Sequence, residues 1–350
     1  MNNRQHLIDK DCLIGQALTK INKISGENYL HVLFVQDERG VIIGAVTDGD
    51  IRRALIKGSR LDDTTGSVMC ADFKFVTEQE DLIEKFRIFR SNEIFLVPVI
   101  DLHGKLVRLY DLKNTLSVLP LRALIMAGGK GERLLPLTKS TPKPMLTVGD
   151  KPILEHNIDR LIKFGIEKID ISTKYLSEQI ESYFGDGANK DIHIQYILES
   201  KELGTAGSAC LLQEFTEPAL LLMNSDLLTN IDFERMYLEF KEKKADMIVA
   251  TVPYTVNVPY AIMNVEVDVV KSFEEKPTYT YYSNAGIYIL KNELVGLIPK
   301  NTFFDATDLM SEVISRGLKL ISYPIRNYWL DIGKIEDYKR AQQDIKYIRL

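Results

Sequence analysis

Gly128, Gly129 and Gly131 follow directly on the apolar run Ala123-Leu124-Ile125-Met126, and Arg133 and Lys143 come soon after them. Glycines placed just beyond a buried strand let backbone N–H groups close around a polyphosphate, because no Cβ blocks the approach. The arginine and the lysine supply the charge that such an anion needs, and Lys143 is clamped between Pro142 and Pro144. Two familiar phosphate loops are excluded. A P-loop keeps four residues between its glycines and then continues Gly-Lys-Ser/Thr, which is absent here. A dinucleotide fingerprint needs a small residue three positions after Gly131, where Leu134 stands instead.

The segment Ala127 to Met145 resembles the signature of the sugar-1-phosphate nucleotidyltransferases, A-G-G-x-G-x-R-L-x-P-L-T followed by P-K-P-M, and it holds every fixed position. Further motifs of that family follow in family order. Glu199 to Gly207 resembles the base-reading motif, which implies that Glu199 and Gly204 read the nucleobase edge. Asn224-Ser225-Asp226 matches the family's Asn-Gly-Asp except at Ser225, and Trp329-Leu330-Asp331-Ile332-Gly333 matches W-x-D-I-G. The resemblance makes Asp226 and Asp331 the ligands of Mg²⁺, a hard cation suited by carboxylates, phosphate oxygens and water. Phe273 to Pro277 matches x-E-K-P, with Glu275 on sugar hydroxyls and Lys276 on the sugar phosphate. Asn284-Ala285-Gly286-Ile287-Tyr288 matches N-x-G-I-Y, with Asn284 as a sugar contact.

The reaction so implied joins a sugar 1-phosphate to the α-phosphorus of a nucleoside triphosphate and expels pyrophosphate. The nucleophile is a phosphate monoester, ionised above a second pKa near about 6, so no general base is needed. Bringing two polyanions together is the difficulty, and preorganised positive charge meets it. Arg133 would serve the leaving pyrophosphate, and Lys143 and Lys276 the reacting phosphates. A non-catalytic regulatory relative would be expected to lose Arg133, Lys143, Asp226 or Asp331, and all four are present.

Glu199 stands where uridylyl- and thymidylyltransferases of the family usually carry glutamine. A carboxylate only accepts, and guanine offers two adjacent donors where uracil and thymine offer one between acceptors. Glu199 therefore favours GTP, with UTP or dTTP as the alternative. The sugar is less legible: the architecture resembles the glucosamine-1-phosphate guanylyltransferases of legionaminic acid pathways, and mannose 1-phosphate or another hexose 1-phosphate stays open. The chain lacks a hexapeptide-repeat tail, so the second, acetyltransferase activity of some relatives is not expected.

The elements that must hold these residues read as α/β. From Arg122 onward, strands alternate with helices: a helix over Ile153 to Phe164 stopped by Gly165, a strand over Lys168 to Ser172, a helix from Ser177 to Phe184, and a strand over Asp191 to Tyr196. That alternation predicts a Rossmann-like, mixed and mostly parallel sheet over 122–350, with ligands beyond the carboxyl ends of the strands. Residues 118–121 read as a linker.

Residues 1–117 carry an internal repeat at a period of roughly 60 residues. Strand His31 to Val35, turn Asp37 to Gly40, strand Val41 to Val46 and helix Ile51 to Leu55 are answered by Ile94 to Ile100, Asp101 to Gly104, and a second strand and helix start over Lys105 to Leu112. The pair resembles a tandem cystathionine-β-synthase (CBS) module of α+β type, which commonly binds adenosine nucleotides. Gly44, Thr47 and Asp50 match its ribose- and phosphate-contacting element, which implies an adenosine-nucleotide site at Thr47 and Asp50. The second repeat has Lys105, Arg108 and Asp111 there, so a second symmetrical site is not expected. The alternative role for the module is packing or dimerisation, giving a homo-oligomer.

The bulk composition is that of a globular protein: 350 residues, 45% hydrophobic and 27% charged. A net charge of −5 with no basic cluster argues against nucleic acid as a partner. The polar start of the chain is not a signal peptide, and no apolar run reaches the roughly 18 residues of a membrane span. Cys12, Cys70 and Cys210 are odd in number and far apart, as expected of a reducing cytoplasm.

Overall fold

The computed structural model describes residues 3–24, 31–213 and 215–348. The chain divides into two compact units, Met1–Val118 and Leu119–Leu350.

The first unit contains β1 (Leu7–Asp9), α1 (Ile14–Ile24), β2 (Val32–Gln36), β3 (Ile42–Thr47), α2 (Asp48–Ile56), β4 (Val76–Thr77), α3 (Leu82–Ser91), β5 (Leu96–Ile100) and β6 (Leu106–Asp111). Two three-stranded sheets repeat one plan: β1 runs parallel to β2 and β2 antiparallel to β3, as β4 does with β5 and β5 with β6. The repeats meet where Ile42 donates to the Gly104 carbonyl at 2.9 Å. Phe34, Ile42, Leu96, Ile100 and Leu109 form a shared apolar cluster there.

One expectation changes in this unit. The strand expected at Lys105 forms as β6, but no helix follows it. The Asp111 carboxylate instead accepts the Lys113 amide at 2.9 Å and the Asn114 side chain at 2.7 Å, closing an Asx-type turn. By contrast α2 starts on a complete capping box, in which Thr47 and Asp50 satisfy each other's backbone amides.

The second unit holds β7 (Leu121–Met126), β8 (Thr147–Val148), β9 (Lys151–Pro152), α4 (Ile153–Lys163), β10 (Lys168–Thr173), α5 (Ser177–Phe184), β11 (His193–Leu198), α6 (Gly204–Gly207), β12 (Ala219–Asn224), β13 (Leu227–Thr229) and α7 (Phe233–Glu242). It continues with β14 (Met247–Asn257), β15 (Ile262–Glu266), β16 (Val269–Glu274), β17 (Thr278–Lys291), α8 (Ala306–Ser315), β18 (Leu320–Pro324), β19 (Trp329–Asp331) and α9 (Ile335–Asp344). The central sheet has seven strands in the order β11-β10-β7-β12-β17-β14-β18. Its pairings are parallel except for β12 with β17 and β17 with β14. This is the mixed, mostly parallel α/β sheet that the alternation predicts.

The strands β7 and β12 are buried on both faces, as their apolar runs over 123–126 and 219–223 require. The apolar side of α4 puts Ile153, Leu154, Ile158 and Leu161 into the core, and the helix stops at Phe164 before Gly165, whose φ of +71° favours a residue without a Cβ. The unit begins a little before Leu121: the Leu119 amide donates to the Phe164 carbonyl at 2.9 Å, inside the stretch expected to be linker. The strand expected from Asp191 starts two residues later, at His193, because Asp191 has φ +57° and closes a 3-10 turn.

One element has no precedent in the sequence reading. Beyond Thr251, β14 and β17 leave the sheet as a two-stranded ribbon that ends at the pair Asn257 and Thr278, and β15 and β16 form a separate hairpin. These strands are exposed, including the cross-strand pairs Tyr254 with Tyr281 and Met263 with Phe273. All three cysteines are free. Among the described residues no helix is long and apolar enough to cross a membrane.

Candidate active site

The chain moves from β7 to β10 and β11 on one side, then returns to β12 on the other. A crevice is expected outside the carboxyl ends of strands at such a switch point. Ser172 of β10 and Asn224 of β12 both stand level with Met126 at the end of β7. The main chain closes over these ends: Ala127 donates to the Ser172 carbonyl at 2.8 Å, and Ser225 to the Met126 carbonyl at 3.3 Å. A cavity of about 590 Å³ opens there. Its floor is the turn Gly128 to Gly131, and Arg133, Lys143, Glu199, Gly204 and Asp226 line it too.

Gly131 has to be glycine. Its φ is +65°, and a Cβ would stand 2.9 Å from the Cβ of Lys143. The Gly131 carbonyl accepts the Thr138 hydroxyl at 2.9 Å, which ties the loop to the segment leading to Lys143. Lys143 is mostly buried, and its ammonium forms an ion pair with Oδ2 of Asp226. Arg133 lies against Gly333, where a Cβ would sit 3.6 Å from its guanidinium.

The carboxylates reach the cavity from different parts of the chain. Asp226 follows β12, and Asp331 ends β19, which pairs antiparallel with β13 so that Leu227 faces Asp331. Oδ1 of Asp226 and Oδ1 of Asp331 are each buried without a hydrogen-bond partner. Burial pushes the Asp331 carboxyl up from its ordinary value, and the Asp226 charge adds to this; Lys143 and Arg133 pull the other way. Two neighbouring orphaned carboxylate oxygens are a donor set for a hard divalent cation. Among the described residues no group of three or more His, Cys, Asp or Glu side chains could hold a metal. A cation here would therefore take its other ligands from substrate oxygens and water.

At the other end of the cavity, Glu199 is buried, with its carboxylate against Gly128: a Cβ on that glycine would lie 3.0 Å from Oε1. Ser172 donates its hydroxyl to Oε1, and the Leu203 amide donates to Oε2 at 3.3 Å. Gly204 has φ +77°, and a Cβ would meet the Phe304 carbonyl oxygen at 2.8 Å. Asp305 accepts from the amide and the hydroxyl of Thr205 at 2.9 and 3.0 Å, fixing the short α6 turn to the start of α8.

The structure thus gathers Gly128, Gly129, Gly131, Arg133, Lys143, Glu199, Gly204 and Asp226 around one cavity, with Asp331 beside Asp226. It leaves three expected residues outside the lining. Glu275 and Lys276 lie in the exposed turn between β16 and β17, and Lys276 has φ +46°. Asn284 spends its side chain locally, donating to the Tyr288 hydroxyl at 2.7 Å and accepting the Gly286 amide at 2.9 Å. Sequence reasoning missed Ser172, Asp305 and Phe303, the last 57% exposed while lining the cavity, and it quoted Asn224 and Thr205 as motif positions without giving them a role. Strand register places Ser172 and contacts with the α6 turn place Asp305, neither of which local spacing announces.

In the first unit a second cavity, of about 700 Å³, is lined by Leu18, Thr19, Asn22, Val32, Thr47 and Gly49 among others. Thr47 reaches it. Asp50 turns back into the helix cap, where Oδ2 accepts from the Thr47 amide and hydroxyl at 2.9 and 2.6 Å and Oδ1 from Arg53 at 2.6 Å. These contacts hold the Asp50 carboxyl below its ordinary range against the opposing effect of burial, which is the largest single influence.

Residues 122–347 match the family model described as nucleotidyl transferase. Over 241 residues the chain is 31% identical to a UTP–glucose-1-phosphate uridylyltransferase of Synechocystis sp., covering 63% of this chain and 62% of that one. Over 231 residues it is 32% identical to a mannose-1-phosphate guanylyltransferase of Mycobacterium tuberculosis, covering 64% of each. The chain thus spans less than two thirds of the length of these relatives. A crystal structure from Bacillus anthracis described as a glucose-1-phosphate thymidylyltransferase, in complex with sucrose, superposes with a TM-score of 0.54 at 25% identity, over 66% of this chain and 97% of that one.

Proposed function

Since the chain belongs to the nucleotidyl transferase family, we propose that it transfers a nucleotidyl group from a nucleoside triphosphate to a sugar 1-phosphate. An oxygen of the sugar phosphate forms the new bond to the α-phosphorus, the α–β bridge breaks, and pyrophosphate leaves with the electron pair. The observation that carries this reading is the meeting, in one cavity, of a glycine turn with Arg133 and Lys143 on one side and the orphaned oxygens of Asp226 and Asp331 on the other.

The backbone of Gly128 to Gly131 would cradle the triphosphate, and Arg133 would neutralise the pyrophosphate as it departs. Lys143 would exchange part of its bond to Asp226 for the α-phosphate. Mg²⁺ held by Asp226 and Asp331 would supply further positive charge and orient the phosphates. Glu275 and Lys276 would approach the sugar phosphate from the exposed turn.

GTP is the proposed donor, because a buried Glu199 offers two acceptors to the two adjacent donors of guanine. The guanylyltransferase among the relatives agrees with that choice, and the uridylyltransferase keeps UTP as its rival. Glucosamine 1-phosphate is the proposed acceptor, with mannose 1-phosphate the alternative. For the first unit we propose a tandem CBS module that takes an adenosine nucleotide in the cavity beside Thr47. The test of the whole reading is pyrophosphate release from a panel of triphosphates against sugar 1-phosphates. Release with GTP and a hexosamine or hexose 1-phosphate is expected, and no release from any pair would overturn it.

A further inference from the structure

Glu199 is held from two sides by groups of different chemistry. Oε2 faces the Leu203 amide at 3.3 Å, and a backbone N–H can only donate. Oε1 faces the hydroxyl of Ser172, wholly buried near the end of β10, and a hydroxyl can donate or accept. The Leu203 side therefore demands an acceptor whatever residue stands at 199, whereas the Ser172 side tolerates either polarity.

We propose that Ser172 is a positioning residue that fixes the plane of the Glu199 carboxylate and so sets the discrimination between nucleobases. The proposal rests on the reading of Glu199 as the base-contacting residue. A carboxylate has about four lone-pair directions, two on each oxygen. Ser172 and Leu203 each occupy one, which leaves one on each oxygen for a ligand edge. The terminal torsion of a glutamate is soft, so geometry alone does not hold that plane. Without the Ser172 hydroxyl it would depend on the 3.3 Å bond from Leu203. Two-point recognition of adjacent donors would lose its register, while a base that needs one acceptor would be less affected. Gly128 limits the remaining freedom, since a Cβ there would stand 3.0 Å from Oε1, tighter than ordinary van der Waals contact.

The same asymmetry orients an amide. A glutamine at 199 must turn its carbonyl to the Leu203 amide, which leaves its NH₂ to the Ser172 hydroxyl, now an acceptor. Ser172 thereby supports one defined orientation for either side chain, and its loss would strand the NH₂ in a buried site.

Steady-state pyrophosphate release with GTP and with UTP, on the full chain, decides the matter in wild type, Ser172→Ala, Glu199→Ala and the double variant. Ser172→Ala is expected to raise the KM for GTP roughly tenfold with kcat within about threefold, the signature of lost uniform binding. The KM for UTP should move less than about threefold. In the Glu199→Ala background Ser172→Ala should change neither KM further, because it acts through Glu199. A purely structural serine would weaken both nucleotides alike, or equally in both backgrounds, and either result overturns the proposal. Should Ser172→Ala not fold, Ser172→Cys keeps the volume close with a weaker donor and carries the same comparison. A wild type that prefers UTP would sink the guanylyl reading. The non-additivity of positions 172 and 199 toward that preferred nucleotide would then still decide the role of Ser172.

Discussion

The main-chain carbonyl of Asp226 accepts the Ile332 amide at 3.1 Å, and through this ladder the carboxylate of Asp331 comes to stand beside that of Asp226. Two half-buried carboxylates so placed repel, and Lys143 compensates mainly the one it touches. The molecule keeps this unfavourable arrangement where the proposed chemistry needs it.

Asp331→Asn should therefore abolish turnover yet stabilise the protein when no divalent cation is present. The folded pKa of Asp331 lies above its unfolded value. Wild type thus loses stability as pH rises from the ordinary carboxylate range through the folded pKa, and the asparagine variant does not. At pH 7 in EDTA a gain of about 2–4 °C in Tm is expected, roughly 1 kcal/mol in a unit of this size. The gain should vanish once the pH falls below the ordinary carboxylate range. A variant less stable than wild type at pH 7 in EDTA would count against the electrostatic account.

Lys143→Met should leave Asp226 uncompensated next to Asp331. Turnover should fall by at least a hundredfold, about 2.7 kcal/mol of transition-state stabilisation. The apparent affinity for Mg²⁺ should not fall, because no ligand is removed. Titration of activity and of Tm with Mg²⁺ separates the effects, and a lost metal response would reassign Lys143 to building the metal site.

Glu199→Gln should reduce kcat/KM for GTP by ten- to several-hundredfold, on the order of 1.4–3.5 kcal/mol, while use of UTP holds or rises. An unchanged ratio of the two nucleotides would remove Glu199 from base reading and leave the reaction class standing.

Asp50→Ala should lower the stability of the first unit by about 0.5–2 kcal/mol through loss of its capping box. If Asp50 also contacts an adenosine nucleotide, the variant should lose the rise in Tm that millimolar AMP or ATP gives to wild type. A lower baseline with the nucleotide response intact would make Asp50 a cap alone.

The legible part of this molecule is what local backbone and charge dictate. Gly131 and Lys143 carry a local signature, a glycine turn after a strand and a clamped cation, whereas a strand-end carboxylate such as Asp226 is singled out only by the family resemblance. The alternation of strands and helices after Arg122 gave the sheet for the same reason. Ser172 was not readable: its hydroxyl reaches Glu199 only because β10 registers Ser172 with Met126 of β7. The helix expected after β6 failed because an aspartate that starts a helix and one that closes an Asx turn look alike in sequence. The exposed ribbon of β14 and β17 could not be foreseen, since alternating apolar residues predict a buried face and give no account of what should cover it.

The central sheet also separates its duties by position. At the amino end of β7 the buried Arg122 guanidinium grips Asp170 at 2.5 and 2.7 Å and Gln195 at 2.9 Å, while the cavity lies at the carboxyl end. From Arg122 to Met126 the strand rises about 13 Å. Changes more than about 7–10 Å apart with no shared partner add within roughly 0.3–0.5 kcal/mol. For protein engineering, substrate preference and robustness are therefore separate dials. Stability changes made at the cavity end should add to those made at the clasp, so tolerance gained at the far end offsets what a library at the cavity loses.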